Sequence, residues 1–389
     1  MTGPLRPILD PDRARAAMFC VDWLGCALEG LAERGEATGG EADTTGRCSL
    51  IGRRATTDDP AEAAVHNARL ARLSPRTDLD MTSGVSPGPL VVSAAFAIAE
   101  AEDFTGAMFL ERVVHGYEVV VDLARTLALA RCPASESAWR LGFAAGSAVR
   151  GLQPDAEPMT VTPASGAATA GLSEALSQQR GTPATPFAPL AARRAGGDWL
   201  LHEVSVRPYA LAPHVQPAAD AALRLARELP AEAVITSIEA YLPPGLILLG
   251  ETGGFSHPEA ASRSIPLAIA LALRGEEPDS LSHASAPPPD PAVTALASAI
   301  TLRTAPTGSG EVRVTLASGE SVHAALRPAW GHPDFPLTAP ELIGKALGLA
   351  RKQSVLSPRA VRGAAHGFIA LMSGGGLSRV TEALKDAGA

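Results

Sequence analysis

The sequence is poor in aromatic side chains, in lysine and in long apolar runs. Aromatic residues make up 4% of the 389 positions and hydrophobic residues 46%, so a core must be filled mainly by Ala, Val and Leu, which favours closely packed helices. Only three lysines are present, Lys345, Lys352 and Lys385. Arginine therefore carries nearly all the positive charge, and amines are scarce for chemistry that needs one. The four cysteines, Cys20, Cys26, Cys48 and Cys132, show no CxxC spacing and no disulfide framework, so a reduced, cytoplasmic setting is expected. No stretch is both long and apolar enough to span a bilayer, and the opening MTGPLRPILDPDR lacks the basic start and apolar run of a signal peptide. A soluble protein without a membrane partner is the expectation. Basic residues number 33 against 41 acidic ones, a net charge of -8, and the densest basic cluster is only Ala191-Ala192-Arg193-Arg194. That leaves no electrostatic footprint for nucleic acid.

What is present is length and helical periodicity. The chain exceeds the roughly 250 to 300 residues at which single cores stop growing, so two structural units are expected. DPDRARAAMFCVDWLGCALEGLAERG opens on Asp-Pro, repeats apolar residues at helical spacing and closes on Gly35. A second helix follows at DPAEAAVHNARLARL. Two more run through GPLVVSAAFAIAEAEDFTGAMFLERVVHGYEVVVDLARTLALA, broken at Thr105-Gly106. The first 150 residues therefore read as all helical. Between Leu152 and Gly197 the chain is rich in Pro, Gly, Ser and Thr and reads as loops, with one short helix near Gly171 to Gln179. The texture then changes. WLLHEVSVRPYA and VITSIEAYLP alternate in strand fashion, QPAADAALRLARELP reads as a helix between them, and GEVRVTLASGESVHAALRP reads as a hairpin turning at Ser318-Gly319. TAPELIGKALGLARK and SPRAVRGAAHGFIALMSGG return to helix. The expected fold is thus mainly α: a large helical domain built from residues 1–202 and 338–389, with an inserted α+β lid domain over residues 203–337.

The stretch with the densest polar chemistry is TDLDMTSGVSPG, Thr77 to Gly88, which carries two carboxylates and several hydroxyls just before an apolar helix. Asp78 and Asp80 suit either a reactive rim or the capping of the following helix. Among the histidines, His115 lies on a helix and reads as a packed residue, His214 lies two residues after Ala212, close enough to reach the same cleft, and His257 and His332 lie on loops. No grouping has metal-ligand spacing, and the glycine-rich stretches GGLSR and TGGF lack the strand-to-helix context of a phosphate cradle.

CVDWLGCALEG, the run from DLDMT and SPGPLVVSAAFAIAEAEDFTG to GYEVVVDLA, VRPYALAPHVQPAADAAL, EAASRSIPLAIALALRG and PAWGHPDFPLTAPELIGKALGLA together resemble, in order, the MmgE/PrpD family. That family includes 2-methylcitrate dehydratase, cis-aconitate decarboxylase and an iminodisuccinate epimerase. The resemblance implies a helical domain with a smaller lid, a site between them that uses neither metal nor organic cofactor, and a homodimer. It also places residues. Asp78 and Thr82 fall on the DxDDT-like positions, Asp80 lies within that motif, and Met81 replaces its last acid. Ser86 stands where the family has the His of HPG. Arg207 replaces a lysine, Tyr209 follows it, Ala212 takes the place of a catalytic His, and Leu267 that of a tyrosine. A site lysine is also missing from the compressed region after Leu152. Arg207 can clamp a carboxylate but stays protonated and cannot act as a base.

The resulting expectation is a cofactor-independent lyase acting on a small-molecule carboxylic acid, with dehydration of a hydroxy acid first. Decarboxylation and isomerisation or epimerisation are the alternatives within the family, and a non-catalytic binding or scaffold homologue is the alternative outside it. Asp78, Thr82 and His214 are the expected catalytic residues; Asp80, Ser86, Arg207 and Tyr209 are expected to bind substrate. Asp78→Asn is expected to stop turnover with little change in folding stability. Apolar helices such as VVSAAFAIAEAE suggest a homodimer through the helical domain.

Overall fold

The computed structural model describes residues 7–34, 45–130, 134–151, 164–177, 198–230, 232–249, 257–282, 286–306, 309–353 and 355–385. Cys132, the Arg193-Arg194 cluster, the TGGF stretch and most of the Leu152–Gly197 segment lie outside these residues. The described part is mainly helical and divides into two compact units, residues 1–206 with 337–389 and residues 207–336.

The first unit is built around α1 (Asp10–Arg34), whose residues from Ala16 to Leu31 are almost all buried except Met18. Around it lie α2 (Pro60–Leu73), α3 (Gly88–Ala101), α4 (Gly106–Leu129), α5 (Ala134–Arg150) and α6 (Ala164–Ser177). Local chemistry sets the boundaries. The Asp59 side chain accepts from Ala61 N–H to start α2, and Thr105 accepts from Met108 N–H to start α4. Small residues set the spacing: a Cβ on Gly25 would come within 2.8 Å of the Ala346 Cα, and one on Gly30 within 1.9 Å of the Leu70 carbonyl oxygen. This is how a chain with so few aromatics fills a core. The few aromatics that exist are concentrated: Phe96 and Phe368 touch each other, and each touches Trp23 and Phe109, at centroid distances of 5.7 to 6.3 Å.

Two sequence expectations change here. A two-stranded ribbon, β1 (Cys48–Ser49) with β2 (Thr56–Thr57), interrupts the helices, too short for its periodicity to register. WLLHEVSV is not a strand: residues Leu200–Glu203 form a 3-10 turn, and only Ser205 pairs, through a single bridge to Leu79. Alternating burial in a short segment over a helix bundle mimics strand periodicity.

In the second unit, α7 (Gln216–Glu228) precedes β3 (Ile235–Leu242), then come α8 (Pro244–Leu249), α9 (Pro258–Arg263), α10 (Ile265–Leu273), α11 (Pro291–Ala299), β4 (Ile300–Thr304), β5 (Glu311–Leu316) and β6 (Ser321–Ala325). The sheet order is β4-β3-β5-β6, with β4 parallel and β5 antiparallel to β3. Gly319, at φ 86°, turns the β5–β6 hairpin in the left-handed region that favours glycine. Ile238, Ala240, Val312 and Val314 face a core shared with α7 and α10. The unit begins at Arg207, four residues beyond the change of periodicity at Glu203.

The chain then returns to the first unit through α12 (Ala339–Leu349), α13 (Pro358–Ala370) and α14 (Ser378–Lys385). α12 opens with a capping box in which Thr338 and Glu341 bond reciprocally. The buried Lys345 ammonium donates to Asp22 on α1 and to the Arg76 carbonyl.

Every residue of α3 from Gly88 to Ala99 is buried within this single chain. The small-residue surface taken from the sequence as a reason for a homodimer is therefore already covered.

Candidate active site

The loop Thr77–Gly88 is a tight, internally bonded turn. Asp80 N–H donates to the Val85 carbonyl and Gly84 N–H to the Asp80 carbonyl, both at 2.8 Å, with Gly84 at φ 74°. Thr77 Oγ1 donates to Ser86 Oγ at 3.0 Å. The loop is pinned to the segment before the unit boundary by the reciprocal Leu79–Ser205 backbone bonds.

Asp78 is 2% exposed. Both of its oxygens receive the Gly88 N–H, at 3.1 and 3.0 Å, and Oδ2 also accepts from the Tyr117 hydroxyl at 2.8 Å. The carboxylate thus satisfies the first amide of α3 from across the loop, where the helix dipole favours negative charge. Tyr117 is buried, stacks on Phe19 at 4.7 Å and has its pKa pushed well up by burial and by Asp78. Arg15 lies over the other aromatic of this pair, 4.6 Å from the Phe19 centroid, and donates to the Val204 carbonyl. The crevice that Asp78 shares with Asp22, Cys26, Thr77 and Tyr117 leaves no room for a water molecule.

Asp80 is also buried. Its carboxylate accepts from Ser83 N–H and Oγ and takes a two-pronged bond from Arg125, Nη2 at 2.6 Å and Nε at 3.1 Å. Burial pushes its pKa up, but the hydrogen bonds from Arg125 and Ser83 outweigh this and hold it below the ordinary carboxylate value. Arg125 reaches Glu203 as well, at 2.7 Å. Thr82, in contrast, is an exposed residue of the turn, and Ser86 is half-buried.

The second unit holds the other expected residues. Arg207 is its first residue and is half-buried. Tyr209 packs against the core of that unit, and burial, with Glu277 and the neighbouring aspartates, raises its pKa. The Asp279 carboxylate, 1% exposed, accepts from Ala210 N–H and fixes the same turn. His214 is half-buried, its Nε2 closed off without a hydrogen-bond partner. Burial lowers its pKa, the bond to the Arg263 carbonyl partly offsets this, and the Arg263 charge adds to the lowering.

The structure thus brings Asp78, Asp80, Thr82 and Ser86 together on one loop, and Arg207, Tyr209 and His214 together on one turn. Sequence reading missed the partners: Tyr117, Arg125, Arg15 and the Asp22–Lys345 pair. Tyr117 stood in the GYEV block, and Lys345 was one of only three lysines. Arg15 and Arg125 were helix arginines with nothing local to mark them. Of the other histidines, His115 sits edge-on to Trp199 at 5.3 Å, and burial, helped by Arg112, pushes its pKa down to about 4. His257 accepts from Ala260 N–H at the start of α9, and His332 accepts from Asp334 N–H in a turn. Among the described residues no cluster of His, Cys, Asp or Glu could hold a metal ion, and no helix is long and apolar enough to cross a membrane.

A mainly helical unit closed by the chain's last helices, with a separate α+β unit between its two parts, is the architecture into which the comparisons fall. The MmgE/PrpD N-terminal domain matches residues 8–198 and the MmgE/PrpD C-terminal domain matches residues 209–364. The chain belongs to the MmgE/PrpD family, which contains dehydratases and decarboxylases and supports a lyase-like activity in general. No curated protein matches the chain.

Proposed function

We propose that the protein is a cofactor-independent lyase that dehydrates a small hydroxy carboxylic acid, with the second unit as its lid and a homodimer as its assembly. The observation that supports this reading is the match to both family domains in order along the chain.

In this reading a base takes the proton from the carbon beside the carboxylate, the C–H electron pair becomes the C=C bond, and the β-hydroxyl leaves with a proton as water. His214 is the group for that transfer. It is neutral at pH 7 because its pKa is lowered, so it can take the carbon's proton and, as imidazolium, return it to the departing hydroxyl. Arg207 binds a substrate carboxylate through its planar fork. Tyr209, Thr82 and Ser86 supply hydroxyls for orientation. Asp78, expected from the sequence to move the proton itself, is given a holding role, because both its oxygens are already engaged. Asp80 holds the same loop through Arg125.

The test is a panel of hydroxy acids incubated with the purified protein, following alkene formation, CO2 release and epimer ratio. Formation of an unsaturated acid from one member, lost in His214→Asn, is the expected result. CO2 or an epimer in its place moves the protein to the family's other activities, and inertness towards all members makes it a non-catalytic homologue.

A further inference from the structure

The protein is acidic as a whole, with a net charge of -8, yet the chain beyond Glu341 carries seven basic residues against two acidic ones, Glu382 and Asp386. Two arginines and a histidine share a stripe on α13. Arg359, Arg362 and His366 stand three, four and seven positions apart, which places them on one face over two helical turns. All three are exposed, as is Gly363 between them. α13 contains no acidic residue, and Arg359 sits in its first turn, where the helix dipole favours the opposite charge. Arg351, in the turn before α13, and Arg379, on α14 beside it, are exposed as well. Among the described residues none of these four arginines has an ion pair or a hydrogen bond. Arg274, Arg303 and Arg313, exposed elsewhere, each hold a glutamate. The apolar face of α13 is already used: Ala360, Val361, Ala364, Ala365 and Phe368 are buried, Phe368 against Trp23 of α1. At the middle of the stripe a Cβ on Gly363 would meet only the Ala383 methyl, at 3.4 Å, so another helix can come close there.

We infer that the exposed stripe of α13 is a docking surface for an acidic helix of a partner protein, whose carboxylates, spaced like the stripe, pair with Arg359 and Arg362 and accept from His366. The planar fork of arginine suits a carboxylate. The stripe is about 10 Å long, close to the screening length of about 8 Å in physiological salt. A short acidic segment therefore meets the local positive charge and little of the surrounding negative charge. A long polyanion such as nucleic acid meets the whole acidic molecule, and an anionic membrane finds no apolar face to accept, because that of α13 is buried. The inference takes nothing from the lyase reading.

The experiment uses the full chain and two fluorescent helical peptides of identical composition, rich in alanine and glutamate. In one the glutamates repeat at three, four and seven positions along a single face; in the other they are spread around the helix. Fluorescence anisotropy at low salt is expected to show the striped peptide binding about tenfold more tightly than the spread one, and losing affinity as salt rises. The double substitution Arg359→Gln with Arg362→Gln is expected to remove that preference, and Arg359→Lys with Arg362→Lys to keep part of it. Arg69→Gln with Arg227→Gln removes the same charge from exposed positions of α2 and α7 and is expected to leave the affinity unchanged. Equal binding of the two peptides, binding of neither, or an equal loss in the Arg69 and Arg227 variant overturns the inference. So does tighter binding of a DNA duplex or of phosphatidylserine vesicles than of the striped peptide. Sedimentation of the protein alone covers the last case: a dimer that dissociates in the Arg359 and Arg362 variant gives the stripe to a second copy of this chain and overturns the acidic-helix partner.

Discussion

At the scale of single residues, the two carboxylates of the Thr77–Gly88 loop have different neighbours and therefore different jobs. Asp78 meets a helix amide and a phenol, Asp80 a guanidinium and a serine. Asparagine at 78 would turn an NH2 group towards donors in a crevice without space for water. Asp78→Asn is therefore expected to cost about 1 to 3 kcal/mol of stability, where the sequence reading expected loss of turnover with little change in folding stability. Tyr117→Phe keeps the stack on Phe19 and should cost less. Urea midpoints of the two variants test this, and an unchanged midpoint for Asp78→Asn would remove the holding role. The sequence made Asp78 conspicuous because acids in a Ser/Gly-rich turn before an apolar helix are visible locally. It could not show burial, because Tyr117 and Arg15 approach from 39 and 63 positions away.

Elements meet at Arg125, which rises from α4 to grip Asp80 in the loop and Glu203 beside the unit boundary. A carboxylate held below its unfolded pKa adds stability that is complete above the unfolded value, near 4, and is lost as pH falls through the folded one. Acid should thus weaken this contact below about pH 4. Arg125→Met leaves Asp80 buried without its cation, which is expected to cost about 3 kcal/mol at neutral pH. It should also flatten the pH dependence in that acid window, since only the Ser83 bonds then oppose the upward push of burial on the Asp80 pKa. Unfolding midpoints measured across the acidic range decide it: parallel curves for the two proteins would show that the pair carries no linkage. Element by element, the helices were legible because Asp59, Thr105 and Ser357 mark their starts and Ala and Leu repeat at helical spacing. β5, β6 and the Gly319 turn were legible for the corresponding reason in strands. The 3-10 turn at Leu200–Glu203 was not, since three helical residues and four alternating ones bury the same side chains. β4 escaped because its pairing with β3 is parallel and links residues some 60 positions apart.

For the whole molecule, the first unit is not finished by the first half of the chain. Phe368 on α13 contacts Trp23, Phe96 and Phe109 at 5.9 to 6.2 Å, and Gly25 admits α12 so closely that no larger residue fits. A chain ending at Pro336 is expected to bind a hydrophobic dye and to lose the cooperative melting of this unit. If the shortened protein melts like the full one without binding dye, the closing helices are ornamental. The homodimer now has to be judged on the family resemblance alone, since α3 has no face left to offer.

Lys345 gives this closure an order in time. Its ammonium joins Asp22 and the Arg76 carbonyl to α12, yet it is made more than 300 residues after Asp22. At about 5 to 20 residues per second of synthesis, the buried Asp22 waits roughly 15 to 60 seconds for its cation. During that interval the helices already made hold a buried acid without its lysine and an open aromatic seam, while the whole second unit has time to fold by itself. The nascent chain is thus most in need of a chaperone late in translation, when it is nearly complete.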